Sequence, residues 1–250
     1  MTRSQLVFLI ITFLFMVGSL FGWTLELFFR RFVSTKNPHR KWINPGFLTG
    51  PYLPIYGFGL VGLFVMSLFP ISEWYHPVQN TAVEVAYSII AMGIMMTLIE
   101  YFAGLIFIKG MKIKLWDYSD EHLNIGGIIC LKFSLIWTVL AALYYFFVQR
   151  YVLRLVNWFS QNIAFTFVVG MFYGILVIDM CYSLKVVAKV RRFAVENDVI
   201  IKYETLKEEI RRDTDNIRKK GRFLLALAPE GLLTDKMEEC LEKIRFVKKQ

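Results

Sequence analysis

Residues 6–29 read LVFLIITFLFMVGSLFGWTLELFF, an apolar stretch in which Glu26 is the only charged side chain. An α-helix needs about 20 mainly apolar residues to cross a lipid bilayer, and this stretch is long enough. It is too long for the core of a signal peptide, and it lacks the small residues of a cleavage site. We therefore interpret it as a retained transmembrane helix, which places the chain among membrane proteins.

Four further apolar stretches repeat this pattern along a chain of 250 residues, of which 56% are hydrophobic and 16% aromatic. They cover residues 53–69, 83–108, 126–148 and 163–187, and the first of them is short and rich in glycine. Stretches of this kind are typical of transmembrane helices rather than of a soluble core. We expect an all-α membrane protein with about five transmembrane helices.

The lysines and arginines of the connecting loops predict the orientation of these helices. Residues 30–41 contain five of them and residues 109–114 three, whereas residues 70–82 contain none. Because basic loops are retained on the cytoplasmic side, we expect the N-terminus outside and the C-terminus inside a plasma (inner) membrane. The net charge of +9 agrees with this asymmetry. No stretch interleaves basic and aromatic residues as a nucleic-acid platform does, so we expect no nucleic-acid partner.

The chain becomes strongly charged after residue 187, which predicts two domains. We expect a transmembrane domain over residues 1–187 and a cytosolic helical tail over residues 188–250. Apolar residues recur at helical spacing from Val199 to Ile217, and again after Pro229. This spacing predicts a helical hairpin or a short coiled coil, which would fold on itself, self-associate or dock on a partner.

Four ionisable side chains lie more than two residues inside the ends of the predicted helices, each towards the predicted cytoplasmic end: Glu26, Glu100, Lys132 and Asp179. A charge in hydrocarbon costs at least about 2.5–3.5 kcal/mol on insertion scales, so such residues normally face a bundle interior or a wet cavity. We therefore expect a polar chamber near the cytoplasmic face.

The spacing of these residues also predicts their partners. Arg30 follows Glu26 by one helical turn and can pair with it. Glu100 lies deep in its helix, and Lys132 at a comparable depth is its expected partner. Asp179 is expected to contact a different neighbour. Each pair is open to two interpretations, a structural ion pair or a ligand-binding carboxylate.

Two polar loops and one amphipathic segment complete the pattern. Residues 44–59, NPGFLTGPYLPIYGFG, cannot expose their irregular backbone to lipid and must pack against protein. Residues 115–126, LWDYSDEHLNIG, supply oxygen ligands, with Asn124 as a candidate cap for the fourth helix. Residues 151–159 are typical of a helix lying in the membrane interface. The residues expected to line a substrate site are Trp23, Glu26, Arg30, Tyr52, Tyr56, Glu100, Trp116, Asp117, Tyr118, Ser119, Asn124, Lys132 and Asp179.

Known catalytic and cofactor motifs are not found in the sequence. The stretch GFGLVG at 57–62 matches the dinucleotide fingerprint, but it begins a membrane helix rather than following a strand. There is no Walker A motif, no HExxH motif and no supported Ser/His/Asp arrangement. The three cysteines do not indicate a disulfide framework. We expect no metal and no cofactor, and the sequence leaves open whether the chain is an enzyme.

Several longer motifs together resemble one known family. They are Gly22-Trp23-x-x-Glu26, Gly46-Phe47-Leu48-x-Gly50-Pro51-Tyr52-x-Pro54-Ile55-Tyr56-Gly57-x-Gly59, Glu100-Tyr101-x-x-Gly104, Trp116-Asp117-Tyr118-Ser119 and Asn124. This succession, within residues 22–137, resembles the ABC-transporter type IV permease family of small bacterial membrane proteins. The family pattern has an arginine before the Gly-Phe-Leu run, where this chain has Pro45. Two alternatives follow: the basic contact is lost in this chain, or Arg40 or Lys41 supplies it.

The resemblance implies the membrane subunit of an ATP-driven transporter, working with a separate ATPase subunit. Because five spans are few for a permease, such a transporter would require at least a homodimer. Two other functions fit the residues. One is an intramembrane enzyme acting on a lipid-linked or amphipathic substrate at the inner leaflet, with buried carboxylates as acid and base. The other is a non-catalytic sensor or scaffold whose tail reports the state of the membrane.

Overall fold

The computed structural model describes residues 2–34, 37, 40–68, 81–203 and 205–207. In these residues six α-helices dominate: α1 Arg3–Phe32, α2 Pro54–Leu68, α3 Thr81–Leu105, α4 Leu131–Leu143, α5 Gln149–Gln161 and α6 Thr166–Glu196. Short π-helical turns extend α3 over Ile106–Gly110 and join α4 to α5 over Tyr144–Val148, and a 3-10 turn at Ile163–Phe165 precedes α6. The predicted all-α fold is confirmed.

Four helical stretches of the described residues are long and apolar enough to cross a membrane. They are Arg3–Phe32, Ala82–Gly110, Leu131–Gln161 and Ile163–Glu196. The fifth predicted span is the shorter helix α2, whose 15 residues extend for about 22 Å, less than the roughly 30 Å of a hydrocarbon core. The chain therefore has the helices of a membrane protein, with one apolar helix below the usual spanning length.

Two predicted helix boundaries are wrong, each because a short strand takes the place of the helix. The fourth span was expected to start at residue 126, but Gly126 and Gly127, with φ of 60° and 64°, form the turn of an antiparallel hairpin. Its strands are β2 (Asn124–Ile125) and β3 (Ile129–Cys130). Helix α4 therefore starts only at Leu131.

The tail differs from prediction in the same way. Helix α6 continues through residue 187 to Glu196, and Val199 does not begin a helix. Instead strand β4 (Ile201–Lys202) pairs in parallel with strand β1 (Ile113–Lys114). Residues 203 and 205–207 are helical, within the stretch predicted as the first helix of the tail. The rest of the predicted hairpin lies outside the described residues.

The chain folds into two compact units. Unit 1 comprises Met1–Gly22, Leu53–Phe102 and Tyr118–Gly174, and unit 2 comprises Trp23–Tyr52, Ala103–Asp117 and Ile175–Gln250. The core of unit 1 contains Leu14, Leu63, Phe64, Met92, Met96, Ala141 and Tyr144. The core of unit 2 contains Ile113, Val187, Val190, Ala194, Val199, Ile201, Tyr203 and Leu206. The start of the tail is thus an integral part of unit 2.

Close helix contact in unit 1 depends on glycines. A Cβ atom placed on Gly18 would lie 2.8 Å from the Tyr56 carbonyl oxygen, and one on Gly57 would lie 2.7 Å from the Phe15 carbonyl oxygen. Both distances are shorter than real Cβ contacts, so α1 and α2 approach each other through bare backbone. Small residues commonly serve this purpose between membrane helices, where packing rather than water drives association.

Replacing Gly57 by alanine is expected to lower the thermal midpoint of unfolding in detergent, because the new methyl group would overlap the Phe15 carbonyl and the Ser19 hydroxyl. Overpacking of this kind costs about 1–3 kcal/mol. Gly170→Ala is the matched control, since no atom lies within 4 Å of a Cβ there and alanine favours a helix by about 0.5–1 kcal/mol. Equal midpoints for the two variants would contradict the close packing of α1 and α2.

Candidate functional site

Glu100 is a buried carboxylate in unit 1. It lies on α3 and is only 4% exposed. Its Oε1 accepts a hydrogen bond from the Tyr118 hydroxyl at 2.9 Å, and its Oε2 accepts one from the Trp137 indole Nε1 at 2.9 Å. Each carboxylate oxygen is therefore oriented by one neutral donor, one from the loop before β2 and one from α4.

Aromatic rings surround the two donors. Tyr118 stacks on Phe133 with ring centroids 4.3 Å apart, and Trp137 meets Tyr56 edge to face at 6.2 Å. The Tyr118 backbone is held by a hydrogen bond from its N–H to the Gly127 carbonyl at 2.9 Å. Burial, together with the charge of Glu100 and the hydrogen bond to it, raises the pKa of Tyr118 well above its usual value. The phenol therefore stays protonated and remains a donor.

Lys132 does not pair with Glu100, and this prediction is wrong. Its Nζ lies 2.8 Å from Oε1 of Glu121, and its side chain is 60% exposed. The reason is the late start of α4, which places Lys132 in the first turn of the helix rather than deep inside it. The sequence pattern missed Trp137. An indole N–H in a mostly apolar helix needs an acceptor when it is buried, and that requirement is the signal that would have indicated it.

Asp179 is the corresponding buried carboxylate of unit 2, and it binds residues of the 44–59 loop. Its Oδ1 accepts from the backbone N–H of Thr49 at 3.0 Å, and its Oδ2 accepts from that of Gly50 at 2.8 Å. The Tyr52 hydroxyl adds a bond to Oδ2, and the Ser183 hydroxyl one to Oδ1. Burial and the bond to Asp179 raise the pKa of Tyr52, so this hydroxyl also remains a donor.

The same loop is stabilised from within by the Asn44 side chain. Its Oδ1 accepts from the Trp23 indole at 2.8 Å, and its Nδ2 donates to the Leu48 carbonyl at 2.8 Å. The irregular backbone of this loop therefore packs against protein, as its sequence required.

The basic contact to the loop comes from the tail. The Lys207 ammonium, on a residue only 6% exposed, donates to the carbonyl oxygens of Asn44 and Gly46. Arg40, one of the two nearby residues considered for a basic contact, donates to the Arg31 carbonyl at 3.0 Å. Lys207 lies far along the chain from this loop, so sequence proximity did not indicate its contact.

Three more of the predicted residues, Glu26, Arg30 and Asp117, form ion pairs. The predicted pair of Arg30 and Glu26 is present, with Nε and Oε1 3.0 Å apart. Asp117 pairs with Lys114 at 2.6 Å and with Lys202 at 2.8 Å. These ion pairs lie within unit 2.

Asn124 shapes the hairpin and is not the cap of α4, so that prediction is wrong. Its amide nitrogen donates to the Ser119 carbonyl at 3.2 Å, and its oxygen accepts from the Gly127 N–H at 3.1 Å. The N-cap of α4 is Cys130, which makes no side-chain capping bond.

The thirteen candidate residues divide between the units. Unit 1 holds Tyr56, Glu100, Tyr118, Ser119, Asn124 and Lys132, and unit 2 holds Trp23, Glu26, Arg30, Tyr52, Trp116, Asp117 and Asp179. Among the described residues no three His, Cys, Asp or Glu side chains are grouped as metal ligands would be. Among the described residues, Glu100 in unit 1 and Asp179 in unit 2 are the buried carboxylates.

These carboxylates differ in their capacity for further bonds. An ionised carboxylate offers about four lone-pair sites. In the described part of the chain Asp179 accepts four hydrogen bonds and is filled. Glu100 accepts two and retains capacity for a ligand. Asp179 is suited to holding a loop, and Glu100 is suited to binding.

Comparison with known proteins supports the resemblance seen in the motifs. The model of the family described as Putative ABC-transporter type IV matches residues 13–184. No curated protein and no solved structure matches the chain.

Asp179→Asn is expected to lower the stability of the protein by about 2–3 kcal/mol, the scale of losing charge-assisted hydrogen bonds. The physical reason is that its two oxygens each bind a backbone N–H, and a backbone N–H cannot become an acceptor for the new amide group. Thermal unfolding in detergent measures the effect, with the exposed Asp120→Asn as control. An unchanged midpoint for Asp179→Asn would show that the loop does not depend on this carboxylate.

Proposed function

Because the chain belongs to the family described as Putative ABC-transporter type IV, we propose that it is the permease-like membrane subunit of a transport system in the bacterial plasma membrane. Its substrate site includes Glu100, near the cytoplasmic face. The sequence has no Walker A motif, so ATP hydrolysis requires a separate subunit. A chain with so few spanning helices also requires at least two copies to enclose a pathway.

The observation that carries this proposal is the buried carboxylate of Glu100 in a helix of spanning length. Ionisable groups at such positions are costly, and they commonly mark ion or substrate pathways. Both hydrogen bonds to Glu100 in the described residues come from neutral donors. Those donors orient the carboxylate but leave its charge to be balanced by a ligand.

The geometry suits a substrate with a cationic or hydrogen-donating group beside an apolar body. The carboxylate would accept from the polar group, and Tyr56 and Trp137 would contact the apolar part. Glu100 lies towards the end of α3 that leads into the basic residues 109–114. The positive-inside rule places that end on the cytoplasmic side.

Coupling to an ATPase subunit would act through unit 2. The start of the tail is anchored there by the β1–β4 pair and by Lys207, which bonds directly to the loop carbonyls. Asp179 holds the same loop from α6. A partner that moves the tail would therefore act on a segment of non-helical backbone, which changes conformation more readily than a helix.

The direct test is purification from native membranes in mild detergent, followed by mass spectrometry of the copurifying proteins. The proposal expects a stoichiometric ATPase whose hydrolysis depends on this chain. A homo-oligomer without an ATPase, carrying a bound lipid or headgroup at Glu100, would contradict it and would favour an enzyme acting on lipid-linked substrates.

Glu100→Gln is expected to reduce substrate-stimulated ATP hydrolysis of that complex about tenfold or more, since one hydrogen bond to a charged group contributes about 1.5–3 kcal/mol. The variant should fold, because the Tyr118 hydroxyl can rotate to accept from the new amide while Trp137 still donates to its oxygen. Glu121→Gln, at a carboxylate paired with exposed Lys132, is the matched control. Loss of thermal stability with retained stimulation in Glu100→Gln would make the residue structural.

A further inference from the structure

The end of α1 carries an unbalanced basic segment. Arg30 and Arg31 occupy the last turn of the helix, and Arg40 and Lys41 follow in the loop. Glu26 pairs with Arg30, and the sequence contains no further acidic residue before Glu73. The segment therefore supplies no carboxylate of its own for Arg31 or Arg40.

Two aromatic rings lie against Arg31, and a third ring packs on them. Its guanidinium carbon is 4.1 Å from the centroid of the Trp42 ring and 5.5 Å from that of Phe32. Phe28 packs edge to face against Trp42 at 5.5 Å. All three rings are about half exposed, so the cation rests on an aromatic surface that remains open on its other side. We call Phe28, Arg31, Phe32, Arg40 and Trp42 the Arg31–Trp42 platform.

Hydrogen bonds hold the residues of the platform in place. The buried Asn37 side chain donates to the carbonyls of Arg30 at 3.1 Å and Lys41 at 2.8 Å, which ties the loop to the helix end. Arg40 has a φ of 50°, a left-handed conformation that persists only where the surroundings impose it. Its guanidinium donates to the Arg31 carbonyl at 3.0 Å.

One donor of the platform is unused. In the described part of the chain, Nε of Arg31 is buried without a hydrogen-bond partner. A buried donor left unpaired costs free energy, so such a group in a folded protein indicates a missing acceptor. Guanidinium groups bind phosphate through paired N–H bonds in one plane, and stacking on a ring fixes that plane.

We propose that the Arg31–Trp42 platform binds the phosphate of an anionic phospholipid headgroup. The basic side chains match the negative surface of a cytoplasmic leaflet. Exposed tryptophan and phenylalanine at the end of a helix of spanning length belong at the headgroup level, where rings contact the upper acyl chains. A soluble anion would pair with the basic side chains but would make no apolar contact with the exposed rings. The combination of basic and aromatic side chains therefore favours a lipid.

The test is native mass spectrometry of the full-length protein in detergent, titrated with phosphatidylglycerol and, separately, with phosphatidylcholine. The wild type is expected to prefer phosphatidylglycerol. Arg31→Gln combined with Arg40→Gln should remove the preference, with affinity falling about fivefold for each charge removed. Arg150→Gln combined with Arg154→Gln is the matched control, with the same charge change on α5, and should keep the preference.

Three results would overturn the proposal. Equal losses in the two double variants would mean general electrostatic attraction without a site. Wild-type preference in Arg31→Lys, which retains charge but not the planar fork, would exclude the platform geometry and would do so even if the double variant failed to fold. Suppression of the preference by millimolar inorganic phosphate would assign the site to free anions.

Discussion

The carboxylate of Asp179 is the interaction on which unit 2 depends. It accepts two backbone N–H groups of the loop between α1 and α2 and two hydroxyls besides. That loop is not helical, and it contacts a residue within a helix of spanning length. Water cannot satisfy such backbone inside a bilayer, where each unpaired group costs several kcal/mol. Asp179 meets this requirement for the N–H groups of Thr49 and Gly50, since it accepts a hydrogen bond from each.

Glu100, the second buried carboxylate, accepts fewer hydrogen bonds than Asp179. This difference suits the two carboxylates to different roles. Among the described residues Glu100 has two neutral donors, one on the loop before β2 and one on α4. The number and kind of donors, rather than burial, separate the two residues. Burial alone would not distinguish the two residues, since Glu100 is 4% exposed and Asp179 is 8% exposed.

The sequence predicted the features that depend on local composition. Apolar length identified the spanning helices, one-turn spacing identified the Arg30–Glu26 pair, and the motifs identified the family. It failed where contacts join distant residues. Lys207 lies far along the chain from the loop carbonyls that it binds. Lys132 pairs with Glu121 and not with Glu100, because α4 starts only after the hairpin turn at Gly126 and Gly127. Helical periodicity carries no information about either.

Hydrogen–deuterium exchange of the loop amides tests the central claim most directly. In the wild-type protein the N–H groups of Thr49 and Gly50 should exchange slowly, because Asp179 accepts from both, and peptides covering residues 46–52 report them. In Asp179→Asn the same peptides should exchange much faster while those of α3 around Glu100 stay protected. Rapid exchange at Thr49 and Gly50 in the wild type would contradict the account, since the loop would then not be held by this carboxylate.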